Sequence, residues 1–254
     1  MFALITGASN GIGYELARTC AREKYNLILV ARRQDKLLEL KKDLEKEYTN
    51  IIHVITLDLA NPTAADQLFD QVKKLNISVD VLVNNAGFGQ YGLFTTTDPV
   101  EEQEMIRLNI ATLTRLTKLY LPEMIARKTG KILNVASTAA FQPGPYMAVY
   151  FATKAYVLLF SEALAEELKN TGVTVTALCP GPTATGFRKV AQVTSGRMFK
   201  KVSVTAREVA EYGYQSLMRG KTVAIYGFKN KVMVFAERFL PRKIIAALVK
   251  NLQQ

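Results

Sequence analysis

The chain has 254 residues, 49% of them apolar and 22% charged, which suits one large α/β domain or two small ones and argues against disorder. Its two cysteines, Cys20 and Cys179, lie far apart in apolar segments and form neither a metal spacing nor a disulfide framework, which points to a reducing compartment. The net charge of +11 suits a basic surface facing an anionic ligand, while no helix-turn-helix, zinc or stacking-sheet signature supports nucleic-acid binding.

In chain order, "MFALITGAS" has no basic region and no cleavage site, and no apolar run approaches the roughly 18 residues of a membrane span, so the expectation is a soluble, cytoplasmic protein. "FALIT" (Phe2–Thr6) reads as a buried strand, followed by a helix from about Gly11 to Lys24. "NLILVA" is the next strand and "QDKLLELKKDLEKEY" a charged helix. Then come "IIHVITLD", a helix near "PTAADQLFDQVKKL", the strand "VDVLVN", and a long helix between about Asp98 and Arg127. "GKILNVAS" is a strand, a helix with Tyr150 and Lys154 runs to about Lys169, and "VTVTALCP" follows. "TARE" (Thr205–Glu208) has capping-box spacing ahead of one more helix and the last strand, "TVAIY". Near-continuous Val/Ile/Leu strands alternating with helices predict a doubly wound parallel sheet, whose ligands gather at the carboxyl ends of the strands.

Two features carry chemistry. The first strand-to-helix turn is "TGASNGIG", with Gly7, Gly11 and Gly13. Glycines there let the backbone approach a pyrophosphate, and the helix N-terminus offers free N–H groups and the positive end of its dipole. The spacing is G-x-x-x-G-x-G rather than the general dinucleotide fingerprint. The second feature is "AVYFATK", in which Tyr150 precedes Lys154 by one helical turn. About one such pair is expected by chance in a chain of this composition, so the spacing alone proves nothing.

Their company decides the matter. "TGASNGIG", "NNAG" (Asn84–Gly87), Ser137, "YFATK" and "PGPTAT" stand in the order and spacing of the short-chain dehydrogenase/reductase family, which the chain resembles from about Phe2 to Thr185 and more loosely through "TVAIYG". The resemblance implies a three-layer α/β/α Rossmann fold, a single reductase domain over residues 1–254, and a homo-oligomer, dimer or tetramer. It implies hydride transfer between a nicotinamide and a small carbonyl or alcohol substrate. Tyr150 would be the general acid/base, Lys154 its electrostatic partner and a ligand of the nicotinamide ribose, and Ser137 the holder of the substrate oxygen. Asn109 would complete a proton relay through a helix distortion. A lysine cation one turn away should favour the ionised phenol.

The cofactor would lie on Gly7, Ser9, Asn10, Gly11, Ile12 and Gly13, beside Asp58 and Leu59, along Asn85, Ala86 and Gly87, and under Pro180, Gly181, Thr183 and Thr185. At the end of the second strand, where an acidic residue would bind the ribose hydroxyl of NAD, stand Arg32 and Arg33. Planar guanidinium forks suit a 2′-phosphate, so the expected cofactor is NADP(H). Asp35 reads as an early helical residue and His53 as structural. No metal site is expected. A non-catalytic NADP-sensing protein on this fold would be marked by loss of the Tyr, Lys or Ser, and all three are present.

The substrate side offers Phe88, Phe141, Tyr146, Met147, Phe187 and Met198, with a substrate loop over about 186–204, and favours an apolar ketone, aldehyde or acyl-chain carbonyl. The extension over about 228–254 carries Val232, Phe235, Phe239, Ile244, Ile245 and Leu248 at helical spacings, interrupted by Pro241. From Lys221 onward it has seven basic residues and one acidic. It reads either as a helix docking on the domain, a second subunit or the pocket mouth, or as an amphipathic segment making peripheral contact with an anionic membrane.

Overall fold

The Val/Ile/Leu runs become strands because each finds cover on both faces. A computed structural model describes residues 1–187, 191 and 204–253. Seven strands, β1 (Phe2–Thr6), β2 (Asn26–Ala31), β3 (Ile52–Thr56), β4 (Val81–Asn84), β5 (Gly130–Val135), β6 (Val173–Cys179) and β7 (Val223–Ile225), pair in parallel in the order β3-β2-β1-β4-β5-β6-β7. Side chains alternate along each strand. Ala3, Ile5, Leu27, Leu29, Val83 and Leu133 therefore enter one buried cluster, while Leu4, Ile28, Val30, Leu82 and Ile132 enter the cluster on the opposite face. This is the expected doubly wound, three-layer arrangement.

The helices are α1 (Gly11–Arg22), α2 (Gln34–Glu47), α3 (Ala64–Lys74), α4 (Pro99–Ile106), α5 (Leu113–Ala126), α6 (Ala148–Glu167), α7 (Ala206–Met218), α8 (Phe228–Glu237) and α9 (Arg242–Gln253). The long helix expected between Asp98 and Arg127 is interrupted by a π-helical segment, Arg107–Thr112, that joins α4 to α5. Asp98 starts α4 by accepting from the Val100 amide at 2.8 Å. The capping box of α7 is formed: the Thr205 amide donates to Glu208 Oε2 at 2.8 Å, and the Glu208 amide donates to Thr205 Oγ1 at 3.2 Å.

Helix α6 is long and apolar enough to cross a membrane by length and composition. Its buried face, Phe151, Thr153, Lys154, Val157, Leu158 and Ser161, instead packs inside the fold against β5 and β6. The strand order reverses between β1 and β4, so the crevice at their carboxyl ends is bounded by the glycine turn on one side and "NNAG" on the other.

Candidate active site

The crevice is built by close backbone approach. Thr6 Oγ1 donates to the Val83 carbonyl at 3.1 Å and accepts from the Asn85 and Ala86 amides at 2.9 and 3.0 Å, which clasps β1 to the end of β4. The sequence reading missed Thr6; its signal was the hydroxyl directly before the glycine run. Gly7 has φ of 67°, and a Cβ there would come within 2.7 Å of Asn85 Nδ2 and 3.0 Å of Ala86 Cα. Any side chain would thus be both left-handed and crowded. A Cβ on Gly13 would strike the Gly7 carbonyl and the Asn85 amide, so α1 runs directly against the turn. Asn10 caps α1 by accepting from the Gly11 amide at 2.8 Å. Ile12 packs its side chain on the core cluster shared with Ala3 and Leu16, which leaves its backbone for the turn.

The two arginines differ in their engagements. Arg33 Nη2 donates to the carbonyl and hydroxyl of Ser9 at 3.2 and 3.4 Å, tying the start of α2 to the glycine turn. Arg32 Nη1 lies 3.9 Å from Asp58 Oδ2 with both side chains exposed, so the two close the end of the crevice as a loose pair. Asp35 lies in the first turn of α2, as expected. Asp58 also faces a cavity of about 590 Å³ that is walled by Asn61, Pro62, Pro99, Gln103 and Arg107. Leu59 has its side chain in the core, and its carbonyl accepts the Thr112 hydroxyl at 2.8 Å.

From the other side, residues 180–187 fold over the turn. Pro180 O accepts from the Thr138 amide at 2.9 Å, Thr183 Oγ1 donates to Gly181 O at 2.9 Å, and Thr185 Oγ1 accepts from the Phe187 amide at 3.2 Å. The Thr185 methyl would meet a Cβ on Gly11 at 3.0 Å.

Four polar side chains converge where β5 ends and α6 begins. Ser137 caps a 3₁₀ turn, Thr138–Phe141, by accepting from the Ala139 amide at 3.1 Å. Burial pushes the Tyr150 phenol up to about 12, opposed by a hydrogen bond from Ser137. Lys154 is buried, its Nζ 5.9 Å from the centre of the Tyr150 ring and donating to Val135 O at 2.7 Å. Burial pulls this lysine down to about 8, with the Cys179 thiol nearby opposing. Burial thus sets the direction of the Tyr150 shift, while the Lys154 hydrogen bond is turned toward a backbone carbonyl.

Asn109 is no surface amide but is 1% exposed, in the π-helical segment. Its Nδ2 donates to Phe88 O and Thr153 Oγ1, both at 3.0 Å, and its Oδ1 accepts from the Phe88 amide at 3.2 Å. A Cβ on Gly87 would lie 2.8 Å from Asn109 Oδ1 and 3.5 Å from Lys154 Nζ, so the strand-four loop passes between the two. Behind the site, Asn84 Nδ2 donates to Asn134 Oδ1 at 2.9 Å and to Thr117 Oγ1 at 3.1 Å, and Asn134 Nδ2 donates to Ser161 Oγ at 2.9 Å. This buried relay fastens α5 and α6 to β4 and β5. Asn134 and Ser161 were also missed; a lone amide inside "KILNVAS" was their signal.

The apolar side of the site is a cluster of Ala139, Met147, Phe151, Ala191, Ile245 and Val249, with Tyr91, Tyr150 and Phe187 packed on it. Gly89 brings the loop after β4 onto it: a Cβ there would meet Phe187, Tyr150 and Met147 at 2.8–3.1 Å. Met147 and Phe187 are thus where the sequence placed them. Phe141 is not, because it packs with Leu113, Ala136 and Val157 beneath α6. Phe88 serves through its backbone, Tyr146 stacks on Tyr91 with centroids 5.7 Å apart, and Met198 lies outside the described residues. Phe151 and Val249 were not among the residues expected there, although the pocket mouth was one place offered for the extension that carries Val249.

Over residues 1–195 the chain matches the short chain dehydrogenase family. The protein is a short-chain dehydrogenase. It is 29% identical over 259 residues to the very-long-chain 3-oxoacyl-CoA reductase of Rattus norvegicus, a match covering 99% of this chain and 80% of that one. It is 38% identical over 193 residues to the protein of the same name from Pyrenophora tritici-repentis, covering 74% of this chain and 57% of that one. The short-chain dehydrogenase from Sphingobium yanoikuyae, solved in complex with NADPH, superposes with a TM-score of 0.84 at 30% identity over 94% of both chains. As a short-chain dehydrogenase the protein is an oxidoreductase of CH–OH and C=O groups that uses a nicotinamide cofactor. The crevice suits such a group. Gly7 and Gly13 leave the space that a dinucleotide backbone needs, α1 opens toward it, and the two guanidinium groups stand at its far end. His53 of this short-chain dehydrogenase lies within β3, its ring 6.1 Å from that of Phe2, away from these groups.

Proposed function

We propose that the protein is an NADP(H)-dependent reductase of apolar carbonyls, with 3-oxoacyl chains as the substrate class. One observation carries this reading: Ser137, Tyr150 and Lys154 converge at the edge of an apolar cluster, and Arg32 and Arg33 flank the other end of the crevice. The names of the rat and fungal relatives support the acyl class, and the NADPH held by the Sphingobium enzyme supports the cofactor.

In this reading Gly7, Ser9, Asn10, Gly11, Ile12 and Gly13 hold the pyrophosphate, and Arg32 and Arg33 hold the 2′-phosphate. Asp58 and Leu59 flank the adenine, and Asn85, Ala86 and Gly87 flank its ribose. Pro180, Gly181, Thr183 and Thr185 hold the nicotinamide side. When bound, the nicotinamide supplies or accepts the hydride. Tyr150, held protonated at neutral pH by a pKa of about 12, donates its proton to the carbonyl oxygen, and Ser137 donates a hydrogen bond to the same oxygen. Lys154 keeps its charge below about pH 8 and offsets the negative charge left on the phenol. Asn109 acts by its place in the π segment, since its side chain is fully engaged with Phe88 and Thr153. Ala152, Tyr156, Leu159 and Ala163 give α6 an exposed apolar face on which a homo-oligomer would form.

The test follows nicotinamide absorbance with 3-oxoacyl thioesters and simple ketones of graded length, using NADPH and NADH. The expected result is NADPH preference and a kcat/KM that climbs with chain length. A flat length profile would remove the acyl-chain assignment.

A further inference from the structure

The last two helices carry two kinds of apolar face. On α9, Ile245 and Val249 recur four residues apart and are buried against Met147, Phe151 and Phe187, around Tyr150. Tyr91 reaches the same helix, donating its hydroxyl to Gln253 O at 2.8 Å. Helix α9 therefore packs on the apolar side of the site, next to Tyr150. A helix whose only role was to dock there would turn polar residues outward. Instead Ile244, Leu248 and Leu252 lie on its other flank, 49, 50 and 44% exposed.

Helix α8 and the residues just after it repeat the pattern more strongly. Phe228, Val232, Phe235 and Phe239 are spaced by four, three and four residues, which confines them to a stripe about 60° wide on a helix. They are 81, 50, 60 and 73% exposed. Scattered exposed apolar side chains are ordinary, but seven at helical spacings on two successive segments call for a partner. Lys229, Lys231, Arg238, Arg242, Lys243 and Lys250 are exposed among them. The one acidic residue of these helices, Glu237, has both carboxylate oxygens buried without a partner.

Charge decides between occupants. In a two-fold dimer a second copy would set this patch against itself and bring the six cations of each copy together. A self-association surface free of that repulsion is available on α6. An anionic lipid surface accepts both components, aromatic and aliphatic side chains among the acyl chains and ammonium and guanidinium groups at the headgroups. We propose that α8 and the outer flank of α9 dock the protein on an anionic membrane, so that one helix packs beside Tyr150 on one side and contacts the membrane on the other. The docking rests on the surface alone; the idea that acyl substrates then enter beside α9 rests on the reductase reading above.

The full chain is sedimented with vesicles of phosphatidylcholine carrying about one-third phosphatidylglycerol, and with pure phosphatidylcholine. Binding is expected to the anionic vesicles only, to weaken severalfold at high salt, and to fall about tenfold or more in a Phe235→Asp/Phe239→Asp variant. A Lys243→Glu/Lys250→Glu variant, which alters exposed charges alone, is expected to fall about tenfold. Turnover of a short, water-soluble ketone without vesicles should match the wild type in both variants, which also verifies their folding. Wild-type protein left in the supernatant, or variants that pellet equally well, would overturn the docking. So would a concentration-dependent dimer that Phe235→Asp/Phe239→Asp abolishes while vesicles are ignored. Vesicle binding in a protein that reduces no ketone would support the docking and sink the reductase reading.

Discussion

The glycine-turn end of the crevice and the Tyr150 end are held by different physics. At the turn, placement is a backbone matter: Thr6 clasps two amides, Gly7 takes a left-handed φ, and Gly13 leaves no room for a methyl group. At the Tyr150 end, placement is a side-chain matter, with walls drawn from α6, the loop after β4, Phe187 and α9. The first end is specified by residue types at fixed places in two short motifs, "TGASNGIG" and "NNAG", the second by apolar side chains that carry no such mark. Binding and turnover should therefore separate under mutation.

The sharpest separation comes from Tyr150→Phe. Removing one hydroxyl leaves the ring packed on Phe151 and Phe187 and touches nothing at the glycine turn. Stopped-flow or steady-state rates should fall about 10²- to 10⁴-fold, while the NADPH dissociation constant, read by fluorescence, changes less than about twofold. Equal turnover by both proteins would exclude the phenol as the proton donor.

The converse variant is Arg32→Ala/Arg33→Ala. Both guanidinium groups stand at the mouth of the crevice, far from the phenol, so this change should weaken NADPH binding about 10- to 100-fold and NADH binding about threefold at most. The kcat at saturating NADPH should hold. If NADH weakens in parallel, the arginines support the turn through the Ser9 contacts rather than reading a phosphate.

What the sequence revealed follows the same division. Strands emerged because runs such as "NLILVA" are buried on both faces, and α7 because the Thr205–Glu208 box is a local device. Gly7, Ser137, Tyr150 and Lys154 were legible because polar chemistry demands residue types at fixed intervals. Phe141 and Phe151 were not told apart, since an apolar ring carries no mark of which cluster it enters. One rotates under α6 and the other toward Tyr150. The direction of the Tyr150 shift was also out of reach, because it depends on burial.

Lys154 joins the two ends, and pH tests that link. Its pKa falls from 10.5 to about 8 on burial, so its charge is present below pH 8 and lost above it. If the ammonium holds the nicotinamide ribose, the NADPH dissociation constant should rise about three- to tenfold between neutral pH and about pH 9.5, and Lys154→Met should flatten the profile. Because folding lowers this pKa, the fold carries the penalty of a buried cation below pH 8. That penalty is relieved as pH climbs toward 10.5, so weaker cofactor binding at high pH would not be a sign of unfolding.

An effect confined to long chains is expected at the apolar side farthest away in sequence. Val249 is buried on the side of α9 that faces the Tyr150 cluster, and Val249→Ala removes two methyl groups there while leaving Tyr150, Ser137 and the glycine turn unsubstituted. Lost apolar contact of this size corresponds to about a three- to tenfold rise in KM for a long-chain ketone. The effect should shrink steadily as the chain shortens, because a short substrate need not reach α9. A uniform loss at every chain length would mean that Val249 only supports the fold. A loss confined to long chains would place α9 in the pocket and extend the substrate end of the crevice to the last residues of the chain.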